Sequence, residues 1–133
     1  MLYNECGAPP RLCYLGSLQV EATSASMMLL YRLLEAYPPD RLQVIHAKED
    51  DRIPERPDRR IKGVRYFQLP PCFNRGWYFT RMRVPGLFWI MLKVHAWWQA
   101  RRAANLVAQF RPEVILTIHE QFGWLTAASL ARR

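Results

Sequence analysis

The run Glu113-Val114-Ile115-Leu116-Thr117-Ile118 constrains this chain more than any other stretch. It is short, apolar and rich in β-branched residues, with little alternation. Such a run suits a strand covered on both faces, as in a parallel sheet. Arg111-Pro112 ahead of it closes any preceding helix, because proline disfavours helical geometry in the residue before it. Behind it the character changes at once. His119-Glu120-Gln121 are polar, Gly123 permits a turn, and Leu125, Ala128, Ser129 and Ala131 resume a helical rhythm. A polar cluster at the carboxyl end of a parallel strand is where α/β folds put their chemistry.

The rest of the chain supplies partners for that strand. Residues 1–10 read as a leader. Arg11 to Leu15 is a first strand, ended by Gly16-Ser17, and Leu18 to Thr23 is a loop. Thr23 or Ser24 can cap the next helix by accepting from a free backbone N–H. Apolar residues at Met27, Leu30, Leu34 and Tyr37, with Met28 and Leu33 beside them, predict a helix packed on a sheet, and Pro38-Pro39 stops it. Leu42 to His46 is a second strand. The charged, proline-bearing stretch Lys48 to Lys62 is an exposed loop. Val64 to Leu69 is a third strand, closed by Pro70-Pro71, and Cys72 to Arg83 is an irregular linker. Pro85 opens a helix that can run to Phe110, with or without a break in its middle. Its apolar positions are Leu87, Ile90, Met91, Val94, Trp97 and Trp98.

Strands and helices alternating in this way imply a mostly parallel sheet with right-handed crossovers. The expected fold is therefore α/β, a Rossmann-like parallel sheet of order 3-2-1-4 with helices on both faces, forming one domain over residues 11–133. In that order the first and fourth strands are neighbours, and a crevice opens at their carboxyl ends. Gly16-Ser17 and His119-Glu120 would meet there.

Charge narrows the partners. The chain of 133 residues carries a net charge of +8, unevenly placed. Residues 1–58 hold six Lys/Arg against nine Asp/Glu, whereas residues 59–133 hold thirteen against two. The basic half suits an anionic partner, or serves as a solubilising surface. Cys6, Cys13 and Cys72 show no CxxC spacing and no zinc-like interval to a histidine, which points to a reducing compartment and no metal. Cys13 reads as a small core residue. The N-terminus lacks the features of a signal peptide. The longest apolar run, Gly86 to Trp98, is interrupted by Lys93 and His95 and falls short of the ~20 residues that span a bilayer. A soluble or peripheral protein is expected.

Each candidate for chemistry has a bland counterpart. Gly16-Ser17 can let a backbone N–H approach a phosphate, or can simply end a strand. His119 can contact a ligand or act as an acid or base, or can hydrogen-bond to nearby backbone. Glu120 is a possible general base or a solvated loop carboxylate. Thr23, Ser24 and Ser26 can reach the crevice, although capping accounts for at least one of them. His46 reads as a histidine at the sheet's edge and His95 as a packed one. No residue is assigned a catalytic role. The segment from Arg75 to Arg83 interleaves aromatics with arginines, and Trp77, Tyr78, Arg81 and Arg83 form its patch. The core or an interdomain contact is the first reading of that patch, a membrane surface the next and nucleic acid the last.

The first strand and its loop, the helix segment MMLLYRLLEAYPPDRLQVI and the closing RPEVILTIHEQFGWLTAASLAR together resemble the N-terminal domain of GT-B glycosyltransferases of the family 4 type. That family shows a PDVV- or PDVI-like strand, then polar residues, then an alanine-rich helix. Here the pattern is Pro112-Glu113-Val114-Ile115, then His119-Glu120, then Ala127-Ala128. The resemblance covers roughly residues 10–133. It implies transfer of a sugar from a nucleotide-sugar to a sugar or lipid-linked acceptor, with no divalent metal and no cofactor beyond the donor substrate. The N-terminal half would supply the acceptor side of the cleft, in a cytoplasmic protein peripheral at the inner face of the membrane. Two departures stand out. Where the family often carries a glycine pair after the first strand, this chain has Gly16 followed by Ser17-Leu18-Gln19-Val20-Glu21-Ala22. The donor-binding second domain, with its paired glutamates, is not within these residues. A C-terminal domain or partner subunit is therefore implied, and the chain alone is expected to be inactive. The competing reading is a non-catalytic basic α/β module that binds a membrane surface, a partner subunit or nucleic acid.

Overall fold

The computed structural model describes residues 8–47, 56–69, 85–118 and 123–132. Four strands, β1 (Leu12–Gly16), β2 (Leu42–Ala47), β3 (Arg65–Leu69) and β4 (Val114–Leu116), are interspersed with three helices, α1 (Ala25–Leu34), α2 (Pro85–Phe110) and α3 (Gly123–Ala131). The strands form one parallel sheet in the order β3-β2-β1-β4. This is the α/β, Rossmann-like arrangement that the alternation of elements predicts.

Side-chain alternation divides the sheet into two apolar layers. On one face Leu12, Tyr14, Leu42 and Val44 pack with Leu30 and Leu34 of α1. On the other, Cys13, Leu15 and Ile45 pack with Ala100 and Ala103 of α2 and with Ala127 and Leu130 of α3. Every residue of β1 is buried. That explains why its sequence is nearly all apolar: a strand covered on both sides has no face to give to water.

β2 is an inner strand, flanked by β1 and β3, so the edge position expected for His46 is corrected. His46 is buried, opposite Gly16 on one side and Gln68 on the other. In a 3-2-1-4 sheet the edges are strands three and four.

α1 buries Met27, Leu30 and Leu34, while Leu33, expected beside the inward stripe, is exposed. Ser24 holds the N-cap position with extended backbone, but its side chain makes no capping hydrogen bond. The Thr23 hydroxyl instead contacts the Met27 sulfur at 3.0 Å. The expected side-chain cap is therefore absent at both residues, and the Ser24 carbonyl accepts from the Met28 N–H at 2.7 Å. α1 ends at Leu34 rather than at Tyr37. The Tyr37 hydroxyl is used elsewhere, donating to the Pro10 carbonyl, while Arg41 donates to the Pro9 carbonyl at 2.8 Å.

α2 runs unbroken through 26 residues. It closes at Arg111, whose φ of 50° puts it in the left-handed region. The Arg111 N–H donates back to the Val107 carbonyl at 2.8 Å, the hydrogen bond of a left-handed helix cap. Glycine usually fills such a position, because a side chain is strained there.

The loop after β1 is pinned. Glu21 is fully buried and accepts from Arg60 Nε at 2.9 Å and from the Arg56 backbone N–H at 3.1 Å. Around this pair the Ala22 N–H donates to the Arg59 carbonyl at 3.1 Å, and Arg59 Nη1 donates to the Ala22 carbonyl at 3.2 Å. The Tyr66 hydroxyl accepts from the Ile61 N–H and donates to the Val20 carbonyl, both at 3.1 Å. Val20 and Ile61 join the apolar layer under α1. One helix does not cover that face, and these two crossing segments complete it.

Candidate functional site

The carboxyl edge of the sheet begins at Gly16 and Ser17. Gly16 sits under close packing: a Cβ there would meet the Tyr14 ring, 2.8 Å from Cζ, and run into its hydroxyl. Tyr14 cannot easily move aside, because it is fully buried and its hydroxyl donates to the Leu18 carbonyl at 3.2 Å. The loop thus folds back over the tyrosine, and glycine is required where it does so.

The start of α3 lies against the same point. A Cβ on Gly123 would lie 3.5 Å from both Gly16 Cα and the Leu15 carbonyl, and 3.0 Å from the Thr117 hydroxyl. A glycine at each end of this contact lets a helix N-terminus abut the end of the central strand. Thr117, just past β4, turns its hydroxyl toward the Ile118 carbonyl at 3.4 Å. The neighbouring of strands one and four, inferred from topology, is thus realised as a contact between β1 and the amino end of α3. The partial positive charge of a helix N-terminus makes such an edge suited to an anionic group.

Ser17 follows Gly16 directly. Its hydroxyl is buried and has no hydrogen-bond partner among the described residues. Thr23 and Ser24 are exposed at the amino end of α1, and their described contacts are local. The sheet edge therefore brings Gly16 and Ser17 to the start of α3, and no described contact adds Thr23 or Ser24 to them. His119 and Glu120 lie outside the described residues, as do Trp77, Tyr78, Arg81 and Arg83.

Burial sets the protonation state of Cys13 and His95. Burial pushes the Cys13 thiol up to about 12, so it stays protonated and packs as a small apolar side chain. Burial lowers His95 to about 4, so its ring is neutral near neutral pH. His46 is enclosed between two neighbouring strands. Among the described residues, no group of three His, Cys, Asp or Glu side chains could hold a metal ion, and no helix is long and apolar enough to cross a membrane.

Glu21, Arg60 and Tyr66 are the residues that sequence reasoning missed. They wall the loop that leaves the site, yet they pair across 39 residues and 46 residues of chain. No local pattern announces such a pairing. Two cavities, one bounded by Pro39, Gly63 and Arg65 and the other by Tyr31, Arg60 and Lys62, lie away from the Gly16 edge.

Compared with known protein families, curated proteins and solved structures, the chain finds no match.

Proposed function

We propose that this chain forms the acceptor-side half of a glycosyltransferase that moves a sugar from a nucleotide-sugar to a sugar or lipid-linked acceptor. The observation that carries the reading is the contact at the carboxyl edge. Gly16 of the central strand meets the start of α3 at the point where the sheet order reverses, and open α/β sheets bind ligands at such points. Ser17 supplies a hydroxyl beside it, and the amino end of α3 favours an oxyanion or a sugar hydroxyl acting as acceptor. In this reading His119 and Glu120 remain candidates for contacting the ligand, and the donor is held by a second domain or a partner subunit. The donor is a substrate, so no further cofactor is invoked. The protein works at the cytoplasmic face of a membrane.

The test is to read the coding frame past Arg133. A continuing frame that encodes a second Rossmann-like domain with paired glutamates is expected. The protein made from it should transfer sugar, while the 133-residue chain alone should not. Sugar transfer by the isolated chain removes this reading, and a frame that stops at Arg133 leaves it standing only with a partner subunit that supplies the donor domain.

The second reading is a binding module without catalysis. The outer face of α2, which is at once apolar and basic, favours it.

A further inference from the structure

α2 is inside out. A helix laid on a sheet normally turns its large apolar residues inward and its small or polar ones to water. Here the inward side carries Leu92, His95, Ala96, Gln99, Ala100 and Ala103, all buried. The outward side carries Trp89, Ile90, Val94 and Trp97, with relative exposures of 55%, 60%, 59% and 47%. The spacing explains how one helix does both. Positions 89/90, 93/94, 97 and 101 recur every three to four residues and share a face. The alanines opposite let the helix backbone settle close to the sheet. Of the apolar positions that sequence periodicity detects, Ile90, Val94 and Trp97 therefore belong to the surface and not to the core.

A contiguous exposed apolar face is a docking surface by default, and its charge indicates the occupant. From Pro85 to Phe110 the helix has no aspartate or glutamate. Its charged residues, Lys93, Arg101 and Arg102, are cations and are exposed. Lys93 lies within the apolar face. Arg101 lies one turn beyond Trp97, with its guanidinium 5.4 Å from the centre of that ring. Arg102 lies 3.8 Å over Trp98. Tryptophan and cation side by side on a convex helix match the boundary between lipid headgroups and acyl chains. There the indole ring is half solvated and the cation meets phosphate. A protein groove would instead need matched shape and, for these cations, placed carboxylates.

We propose that the outer face of α2, built on Trp89, Ile90, Lys93, Val94, Trp97 and Arg101, lies flat in the surface of an anionic phospholipid bilayer. This orients the sheet on the membrane surface. The inference rests on the transferase reading for the membrane and deepens it by naming the surface that meets the bilayer; because α2 packs on the sheet face opposite α1, its failure leaves the reading of the Gly16 edge as it stands.

The experiment is co-sedimentation of the 133-residue chain with two kinds of vesicle, pure phosphatidylcholine and phosphatidylcholine mixed with phosphatidylglycerol. Tryptophan emission is recorded in parallel. Binding to the phosphatidylglycerol vesicles is expected, with a blue shift in emission and weakening as salt is raised. Lys93→Glu exchanges a cation for an anion at an exposed site and leaves the core untouched. It should reduce partitioning on the order of twentyfold, since each unit of charge beside an anionic surface is worth about fivefold. The Trp89→Ser/Ile90→Ser pair should reduce both the binding and the blue shift, leaving what Trp97 contributes. Leu29→Ser/Leu33→Ser, which removes exposed leucines from α1 on the other side of the sheet, should change neither readout. Three results would overturn the proposal: no binding to the anionic vesicles, binding unaffected by Lys93→Glu, or self-association of the chain that Lys93→Glu or Trp89→Ser abolishes. The last would make a second copy the occupant. None of the three bears on whether a longer reading frame transfers sugar.

Discussion

At Gly16 two uses of glycine compete, close approach of a ligand and close approach of the protein's own side chain. The Tyr14 ring occupies the space a Cβ would need, so packing alone requires glycine here. Gly16→Ala is expected to lower stability by about 2 kcal/mol, the usual cost of overpacking a tight site. A urea unfolding midpoint shows this directly, and an unchanged midpoint would return the position to ligand binding. His95 gives a second test at this scale. Its pKa falls from 6.5 to about 4 because burial disfavours the charged ring. The unfolded chain therefore takes up its proton first as pH falls. Stability is full above about pH 6.5 and declines below it, by about 3 kcal/mol once pH reaches the folded value. Unfolding measured across that window should show the slope, and His95→Gln should flatten it. The histidine was legible as a packed residue from its mid-helix setting among Trp and Met. Its inward direction was not, because Val94 and Trp97 beside it, apolar by type, face the surface.

Between elements, the strap formed by residues 19–22 and 56–61 deserves the closest test, since it fixes the loop leaving β1. Glu21 is a buried carboxylate held by one guanidinium and one backbone N–H. Arg60→Met would leave that carboxylate buried without its counter-ion, at a cost of about 3 kcal/mol. Replacing both partners, as Glu21→Leu/Arg60→Met, should recover most of the loss, because an apolar pair avoids the burial of charge. The Arg56 N–H would still lack its acceptor, so recovery should fall short of complete. Thermal unfolding of the single and double variants separates the two outcomes, and equal losses in both would mean that the ion pair is not the strap's anchor. The strap also marks where sequence reasoning stops. Strands announce themselves through short β-branched runs, and α2 through Pro85 and its periodicity. A glutamate in a polar loop looks the same whether it is solvated or buried, until its arginine arrives from 39 residues away.

Over the whole molecule, the sheet order was readable because few topologies remain once crossovers are right-handed and strands alternate with helices. The order β3-β2-β1-β4 then places the earliest strand in the middle of the sheet. The contents of the carboxyl edge were legible only where backbone demands a particular residue, at Gly16 and Gly123. Side-chain roles at that edge depend on what it binds, which no local pattern encodes. The sheet order has a consequence in time as well as in space. β1 pairs with β4, and at their amino ends the Arg11 N–H reaches the Glu113 carboxylate across 102 residues of chain. A ribosome adds residues at roughly 5–20 per second, so the open side of β1 waits on the order of ten seconds for its neighbour to be synthesised. During that interval an apolar strand with an unfilled edge stands exposed beside every other nascent chain. The cell's chaperones, rather than the finished fold, must keep it from pairing with the wrong one.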